Sequence, residues 1–390
     1  MTNTKEKLWT KNFIILSLLN FLLTLIFFML NTTIVLYAVE IFKASPSIGG
    51  LVSGVFIIGT LVSRLFIANL INAKNSKKIL SLGLILFTLC TSLYFIKNGI
   101  IFLILTRFLH GITLGISSTV IGTIIAIIIP KSRKGEGISY FSLSTALATA
   151  LGPFIGLSLS QNAGFKTIFV FCLIVSIVNC ITSLFFNNSK LNMSKPKEDK
   201  KEFKISNFIE IKALPISLIM LISSLCFSSI LSYINLFAID NHLESAASLF
   251  FIVYAIAVLF SRPLSGKLLD KKGANYIVYP ALILFSLSLI ILSNTHSGIT
   301  LLLSSALLGL GFGNLQSCIQ AITINLSDEE RVGIATATFL IAFESGTGFG
   351  PSILGLLIPL AGYKGMYFSL GVVVLLTIIL YHILHGKKIK

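Results

Sequence analysis

Twelve apolar runs, each about 20 to 30 residues long, leave this chain few ways to fold. They fall near residues 12–38, 46–70, 78–96, 100–129, 138–160, 165–187, 213–239, 246–269, 275–293, 298–327, 334–360 and 363–385. About 20 consecutive apolar residues form a helix long enough to cross a bilayer. The runs therefore predict an all-α membrane protein of twelve transmembrane helices. Only 11% of the 390 residues are charged, against roughly 25% in soluble domains, and the mean hydropathy is +0.95. The first run is too long for a signal peptide's apolar core and no small-residue cleavage site follows it, so it reads as a retained first helix. Cys90, Cys172, Cys180, Cys226 and Cys318 all fall within apolar runs, without CxxC or Cys/His spacing. They read as packed thiols, with no disulfide or metal framework.

A net charge of +16 would suit a nucleic-acid partner if it were gathered on one surface. It is not. Loops and tails on the side of the N-terminus hold 25 lysines and arginines, while the opposite side holds four, Lys43, Lys97, Lys166 and Lys364. Positive residues mark the cytoplasmic side of membrane proteins. The asymmetry predicts a multi-pass protein of the cell membrane, embedded in the lipid bilayer, with both termini cytoplasmic and no nucleic-acid partner. Its one sizeable polar stretch, 188–212, is interrupted by Pro196 and separates an N-terminal six-helix bundle (1–187) from a C-terminal six-helix bundle (213–390). The stretch holds seven lysines alternating with Glu198, Asp199, Glu202 and Glu210, the pattern of a solvated cytoplasmic tether.

The two halves repeat. At a constant offset of 198, Arg64 matches Arg262, and Leu84-Ile85-Leu86-Phe87 matches Leu282-Ile283-Leu284-Phe285. Gly111 and Gly115 match Gly309 and Gly313, Arg133 and Gly135 match Arg331 and Gly333, and Gly152-Pro153 matches Gly350-Pro351. An even number of spans per half gives both copies the same orientation. Parallel repeats of this kind characterise one class of secondary transporters, which bind substrate near the membrane midplane.

Against this scaffold three ionisable residues stand out. Arg107 and His110 lie one helical step apart inside the fourth span, about 12 and 17 Å below its outer end. That depth suits a charge facing a cavity, and an intramembrane charge is a functional hint. His110 titrates in a range suited to proton handling. Glu344 lies about ten residues into the eleventh span, where a carboxylate can carry a proton or hold a cationic substrate. Their repeat mates are Ser305, Leu308 and Ala146, so none belongs to the shared scaffold. Structural alternatives exist for each: an ion pair or carbonyl partner for Arg107, a packing hydrogen bond for His110, and a permanent ion pair for Glu344.

After the eighth span comes Ser261-Arg262-Pro263-Leu264-Ser265-Gly266-Lys267-Leu268-Leu269-Asp270-Lys271-Lys272-Gly273. It resembles the cytoplasmic loop signature of the major facilitator superfamily: glycine, three residues, aspartate, a basic residue, one residue, glycine. The glycine allows close helix packing, and the aspartate can cap a helix start or pair with an arginine. In the first copy Arg64 is kept, but Ala68, Asn72 and Asn75 stand where the family has glycine, aspartate and glycine. The Arg107–Gly111 stretch resembles the fourth-helix signature of proton-coupled members, with His110 in place of glutamine. Gly152-Pro153-Phe154-Ile155-Gly156 resembles the fifth-helix signature of antiporters, although Ser139 and Ala148 replace upstream glycines.

The resemblance spans nearly the whole chain. It implies two pseudo-symmetric six-helix bundles working by rocking-bundle alternating access, most like the drug/proton antiporter branch of twelve-helix efflux proteins. Arg107, His110 and Glu344 would couple protons to a small-molecule substrate. By family analogy Asn20, Asn31, Tyr233, Asn235, Asn314, Gln316 and Gln320 would line the cavity. Arg64, Asn72, Gly152, Pro153, Gly156, Arg262, Gly266, Asp270, Gly273, Gly350 and Pro351 would serve conformational change. Asn31-Thr32-Thr33-Ile34-Val35 replaces the proline-rich first-helix pattern of multidrug members, which favours one metabolite, sugar or peptide-like compound. No phosphate loop, nucleophile elbow or metal-ligand cluster occurs, so neither enzyme chemistry, a cofactor, a bound metal nor ATP-driven transport is expected. The expected form is a monomer, and a composition rich in Ile, Lys and Asn with one Trp fits a bacterial source. Two other readings remain open: a nutrient importer or facilitator, and a non-transporting sensor or scaffold on the same fold.

Overall fold

The computed structural model describes residues 7–44, 46–67, 70–72, 75–188, 208–355 and 357–388, and regular structure there is entirely helical. The helices are α1 (Lys11–Phe42), α2 (Pro46–Ile67), α3 (Ser76–Ser92), α4 (Gly99–Ile128), α5 (Lys134–Leu184), α6 (Leu214–Asp240), α7 (Glu244–Lys272), α8 (Asn275–Ser293), α9 (Gly298–Leu308), α10 (Asn314–Asn325), α11 (Val332–Leu354) and α12 (Ile358–Leu384). Among the described residues, eleven stretches are long and apolar enough to cross a membrane, and Leu51–Ile67 adds a shorter apolar helix. That agrees with twelve spans to within the short second one.

Helix labels and spans differ at two places, each with a local cause. α5 holds two spans, broken where Gly164 takes φ +75°. Its repeat mate Gly362 breaks the start of α12 at φ +65°. Glycine enters this left-handed region without the Cβ penalty of about 1–2 kcal/mol that other residues meet. The repeat offset is thus reproduced in backbone geometry, at a pair of glycines. Conversely, α9 and α10 are one span joined by a π turn, Gly309–Gly313.

Helix starts follow side-chain chemistry: Thr10 Oγ1 accepts from the Phe13 amide at 3.2 Å, and Ser297 with Thr300 forms a capping box ahead of α9. Side-chain faces follow the period of 3.6. On α4, Ile101, Leu105 and Leu109 are exposed in an apolar stripe, while Leu103, Arg107, His110 and Leu114 are buried. An apolar face left outside on so hydrophobic a helix is the face for lipid.

Two compact units account for the chain. Unit 1 comprises Met1–Pro130, Leu147–Glu210 and Asp328–Ala337; unit 2 comprises Lys131–Ala146, Ile211–Ser327 and Thr338–Lys390. α5 therefore begins in unit 2 and continues in unit 1, and α11 does the reverse. Within unit 1, α2 and α4 approach until a Cβ at Gly115 would lie 2.6 Å from the Thr60 carbonyl oxygen, and one at Gly111 would strike the Phe56 carbonyl. Only glycine fits at that distance, which explains two of the repeated glycines by contact.

Candidate functional site

The unit 1 site centres on α4. Arg107 and His110 both have 0% exposure, so their side chains are enclosed instead of facing an opening, contrary to the depth argument. The Arg107 guanidinium lies 4.3 Å over the Phe56 ring, and its Nε donates to the Val52 carbonyl at 3.3 Å. Nη1 reaches the Tyr94 hydroxyl at 3.5 Å, the outer edge of hydrogen bonding. Nη2 has no hydrogen-bond partner among the described residues. His110 is more firmly held, with Nε2 at 3.2 Å from Thr91 Oγ1 and Nδ1 at 3.0 Å from the Tyr94 hydroxyl. Phe87, Phe56 and Tyr94 surround its ring. Tyr94 and Thr91 escape a reading of motifs because tyrosine and threonine are unremarkable in a span; only the fold brings them to His110.

In unit 2 the buried cation is Arg262, also with 0% exposure. Its Nε donates to the Gly313 carbonyl at 2.9 Å, Nη2 donates to Gln316 Oε1 at 2.8 Å, and Nη1 donates to the Ser142 carbonyl. Asn314 accepts from Ser265 at 2.9 Å and donates to Ser261 at 3.0 Å and to the Leu310 carbonyl at 2.7 Å. Gln320 Oε1 lies 3.3 Å from Ser142 Oγ. Asn314, Gln316 and Gln320 were expected to line a cavity. Instead they are buried, with their polar groups engaged inside the unit: Asn314 on the Leu310 carbonyl of the π turn, Gln316 on Arg262 and Gln320 on Ser142.

The loop signature of the second copy closes on the start of α5, within unit 2. Asp270 accepts the Gly135 amide at 2.6 Å and the Glu136 amide at 2.9 Å. Both amides lie at the positive end of a helix, where a carboxylate is favoured. Glu136 pairs with Arg133 at 2.7 Å and lies 3.7 Å from Lys267. Gly266 sits so close to α5 that a Cβ would come within 2.6 Å of the Gly135 carbonyl, and Gly273 ends α7 at φ +87°. In the first copy Asn75, the mate of Gly273, has φ −100° and needs no glycine. Asn72 there accepts the Asn75 amide at 3.0 Å. Ala68 lies outside the described residues.

The other candidates are dispersed. Asn31 accepts from Ser53 at 2.7 Å, Asn20 is buried in α1, and Arg64 donates to Thr119 at 2.9 Å. The half-buried Tyr233 hydroxyl donates to the Pro351 carbonyl at 2.6 Å. Asn235 lies in α6, but its side chain is outside the described residues. Gly152 and Gly156, flanking Pro153, abut Leu25, Phe28, Met29 and Thr33 of α1, while Gly350 abuts Ser228 of α6. Glu344 is half-buried in α11, with Gly346 two residues on against Ser224. A further expectation gives way: Glu210 is not solvated but 3% exposed, and its Oε2 takes the Arg331 Nε at 2.5 Å. Arg331 is the repeat mate of Arg133, whose partner Glu136 has Ile334 as its own mate; the carboxylate the second copy lacks is supplied by the end of the linker.

The sequence profile of the Major Facilitator Superfamily matches residues 16–342 and, a second time, 280–388. The chain belongs to this superfamily. An MFS-type transporter of Methanocaldococcus jannaschii is 26% identical over 327 residues, covering 82% of this chain and 84% of that protein. The staphylopine export protein of Staphylococcus aureus is 22% identical over 381 residues, covering 92% and 94%. Multidrug resistance protein 2 of Bacillus subtilis is 22% identical over 332 residues, covering 82% of each. Among solved structures, the human organic anion transporter MFSD10 superposes with a TM-score of 0.75, covering 95% of this chain and 98% of that one at 14% identity. The proton:xylose symporter XylE gives 0.74, with 95% of each covered, also at 14%. Those two likenesses establish the major facilitator fold. The protein is a multi-pass membrane transporter of this superfamily, not an enzyme.

Proposed function

We propose that this major facilitator transporter exports a small organic solute in exchange for protons, by alternating access. The observation that carries the reading is Arg107: a wholly buried guanidinium in the fourth span, with no carboxylate partner among the described residues and one nitrogen unbonded. A buried charge without a counter-ion is expensive, and packing alone gives no reason to keep one. Glu344 in α11 is the second functional charge, and the export and multidrug proteins among the relatives support the outward direction. The same reading takes 1–187 and 213–390 as the two bundles of a monomer whose termini and linker are cytoplasmic.

Inside-out vesicles with and without the chain test it. Acidifying the lumen should drive accumulation of at least one solute from a cell extract, read by untargeted mass spectrometry. A protonophore, Arg107→Ala or Glu344→Gln should abolish that accumulation. Flux indifferent to the proton gradient refutes the coupling, and absence of any flux makes the chain a sensor or scaffold.

A further inference from the structure

We infer that Tyr94 and His110 are positioning residues for Arg107, joined through the Tyr94 hydroxyl, and that His110 is held as a neutral imidazole protonated on Nε2 instead of acting as a proton carrier. The inference takes its functional meaning from the reading of Arg107 above, while the placement of protons stands on geometry alone.

The argument is a count of donors and acceptors. Thr91 Oγ1 lies 2.8 Å from the Phe87 carbonyl oxygen, an atom that only accepts, so the single hydroxyl proton of Thr91 goes there. The same Oγ1 is 3.2 Å from His110 Nε2, and that contact then requires Nε2 to donate. In a neutral imidazole Nδ1 is left as the acceptor, and the Tyr94 hydroxyl at 3.0 Å donates to it. The Tyr94 oxygen keeps its lone pairs for Arg107 Nη1. Donation thus runs in one direction, from Arg107 Nη1 through Tyr94, His110 and Thr91 to the Phe87 carbonyl, and each proton of the Tyr94, His110 and Thr91 polar groups meets an acceptor.

The opposite tautomer fails this count. With Nδ1 protonated, the imidazole would donate to Tyr94, and the Tyr94 proton would face only the Arg107 donors in a site with 2% exposure. A buried hydroxyl without an acceptor loses its hydration with nothing in return. A doubly protonated His110 meets the same conflict and adds a second cation one helical step from Arg107. Among the described residues no carboxylate pairs with His110 or Arg107 to offset it, and the titratable groups that act on His110 and Tyr94 are Arg107, Cys90 and Cys172. On the remaining sides the ring meets Phe87 at 4.2 Å and Phe56 at 5.6 Å, neither of which accepts a proton.

The test uses the full chain in lipid nanodiscs, labelled with 15N at histidine and arginine. The His110 signals are those of the five histidines that vanish in His110→Gln. The expected spectrum shows a bare Nδ1 and a protonated Nε2, unchanged from pH 5 to pH 8. Tyr94→Phe should shift the His110 Nδ1 and the Arg107 guanidinium signals together. His110→Leu should shift Arg107 likewise, whereas His110→Gln, whose amide oxygen can take the Tyr94 proton, should leave Arg107 in place. Should Tyr94→Phe not fold, Thr91→Val cuts the chain at its other end and should disturb the His110 tautomer. A wild-type His110 that gains a proton between pH 5 and pH 8, an Nδ1-protonated tautomer, or an Arg107 signal indifferent to His110→Leu overturns the inference. None of these readings depends on transport, so a failed export assay would be recognised separately.

Discussion

Asp270→Ala isolates the contact that fastens α5 to the loop after α7. The aspartate accepts two amides, from Gly135 at 2.6 Å and Glu136 at 2.9 Å, at the start of a long helix. A side-chain cap at a helix N-terminus contributes about 0.5–2 kcal/mol, and a negative charge there about 0.3–1 kcal/mol more. Asp270 is exposed as a residue, so water screens the charge and the lower part of the combined range applies. That gives a loss of about 1–2 kcal/mol, which is a factor of roughly 5–30 in an equilibrium constant. Hydrogen–deuterium exchange in nanodiscs reads it directly: amides at 134–138 should exchange faster by that factor, while those of α3 should not change. Asn72→Ala, at the uncharged mate, should produce a smaller effect, since Asn72 caps a neighbouring loop amide without a formal charge. Exchange at 134–138 within twofold of wild type would refute the assignment of Asp270 as the cap.

Two substitutions test packing and the buried fork. Gly111→Ala should destabilise the protein by about 1–3 kcal/mol through overpacking, because its Cβ meets the Phe56 carbonyl, whereas Gly54→Ala, with nothing within 4 Å, should be tolerated; thermal unfolding followed by tryptophan-independent light scattering compares them, and equal midpoints contradict the contact. Arg262→Lys should cost about 2–4 kcal/mol, since a point charge cannot serve the Gly313 carbonyl, the Ser142 carbonyl and Gln316 together. A lysine variant as stable as wild type would show that the fork geometry is dispensable.

The spans were legible because hydrocarbon length and turn punctuation are local properties: the sequence boundaries at 160/165 and 360/363 bracket the two glycines that break α5 and α12. The repeat was legible because one offset suffices to detect it. Arg107 and Glu344 stood out through the expense of charge in an apolar run. What stayed hidden depends on neighbours far away in sequence. Glu210 looks like any acid in a lysine-rich tether until Arg331, 121 residues on, removes it from water. Asn314, Gln316 and Gln320 carry the polarity of a substrate cavity, yet the Leu310 carbonyl, Arg262 and Ser142 take up their hydrogen bonds. Tyr94 gains meaning only when α3 lies beside α4.

The π turn at Gly309–Gly313 sets a limit on how far the two copies can be treated as one. A regular helix turns about 100° per residue, and a turn carrying one residue more rotates everything after it by about that angle. Gly111–Gly115, the matching segment, remains ordinary α-helix. Letters that align at an offset of 198 therefore share a bearing up to Leu308 and lose it past Gly313. A graft of Arg107 and His110 onto Ser305 and Leu308 would point as the originals do, whereas an exchange of Ser118 for Gln316 would aim at a different neighbour. The halves rhyme in spelling and then diverge in azimuth, with neither an insertion nor a deletion to announce it.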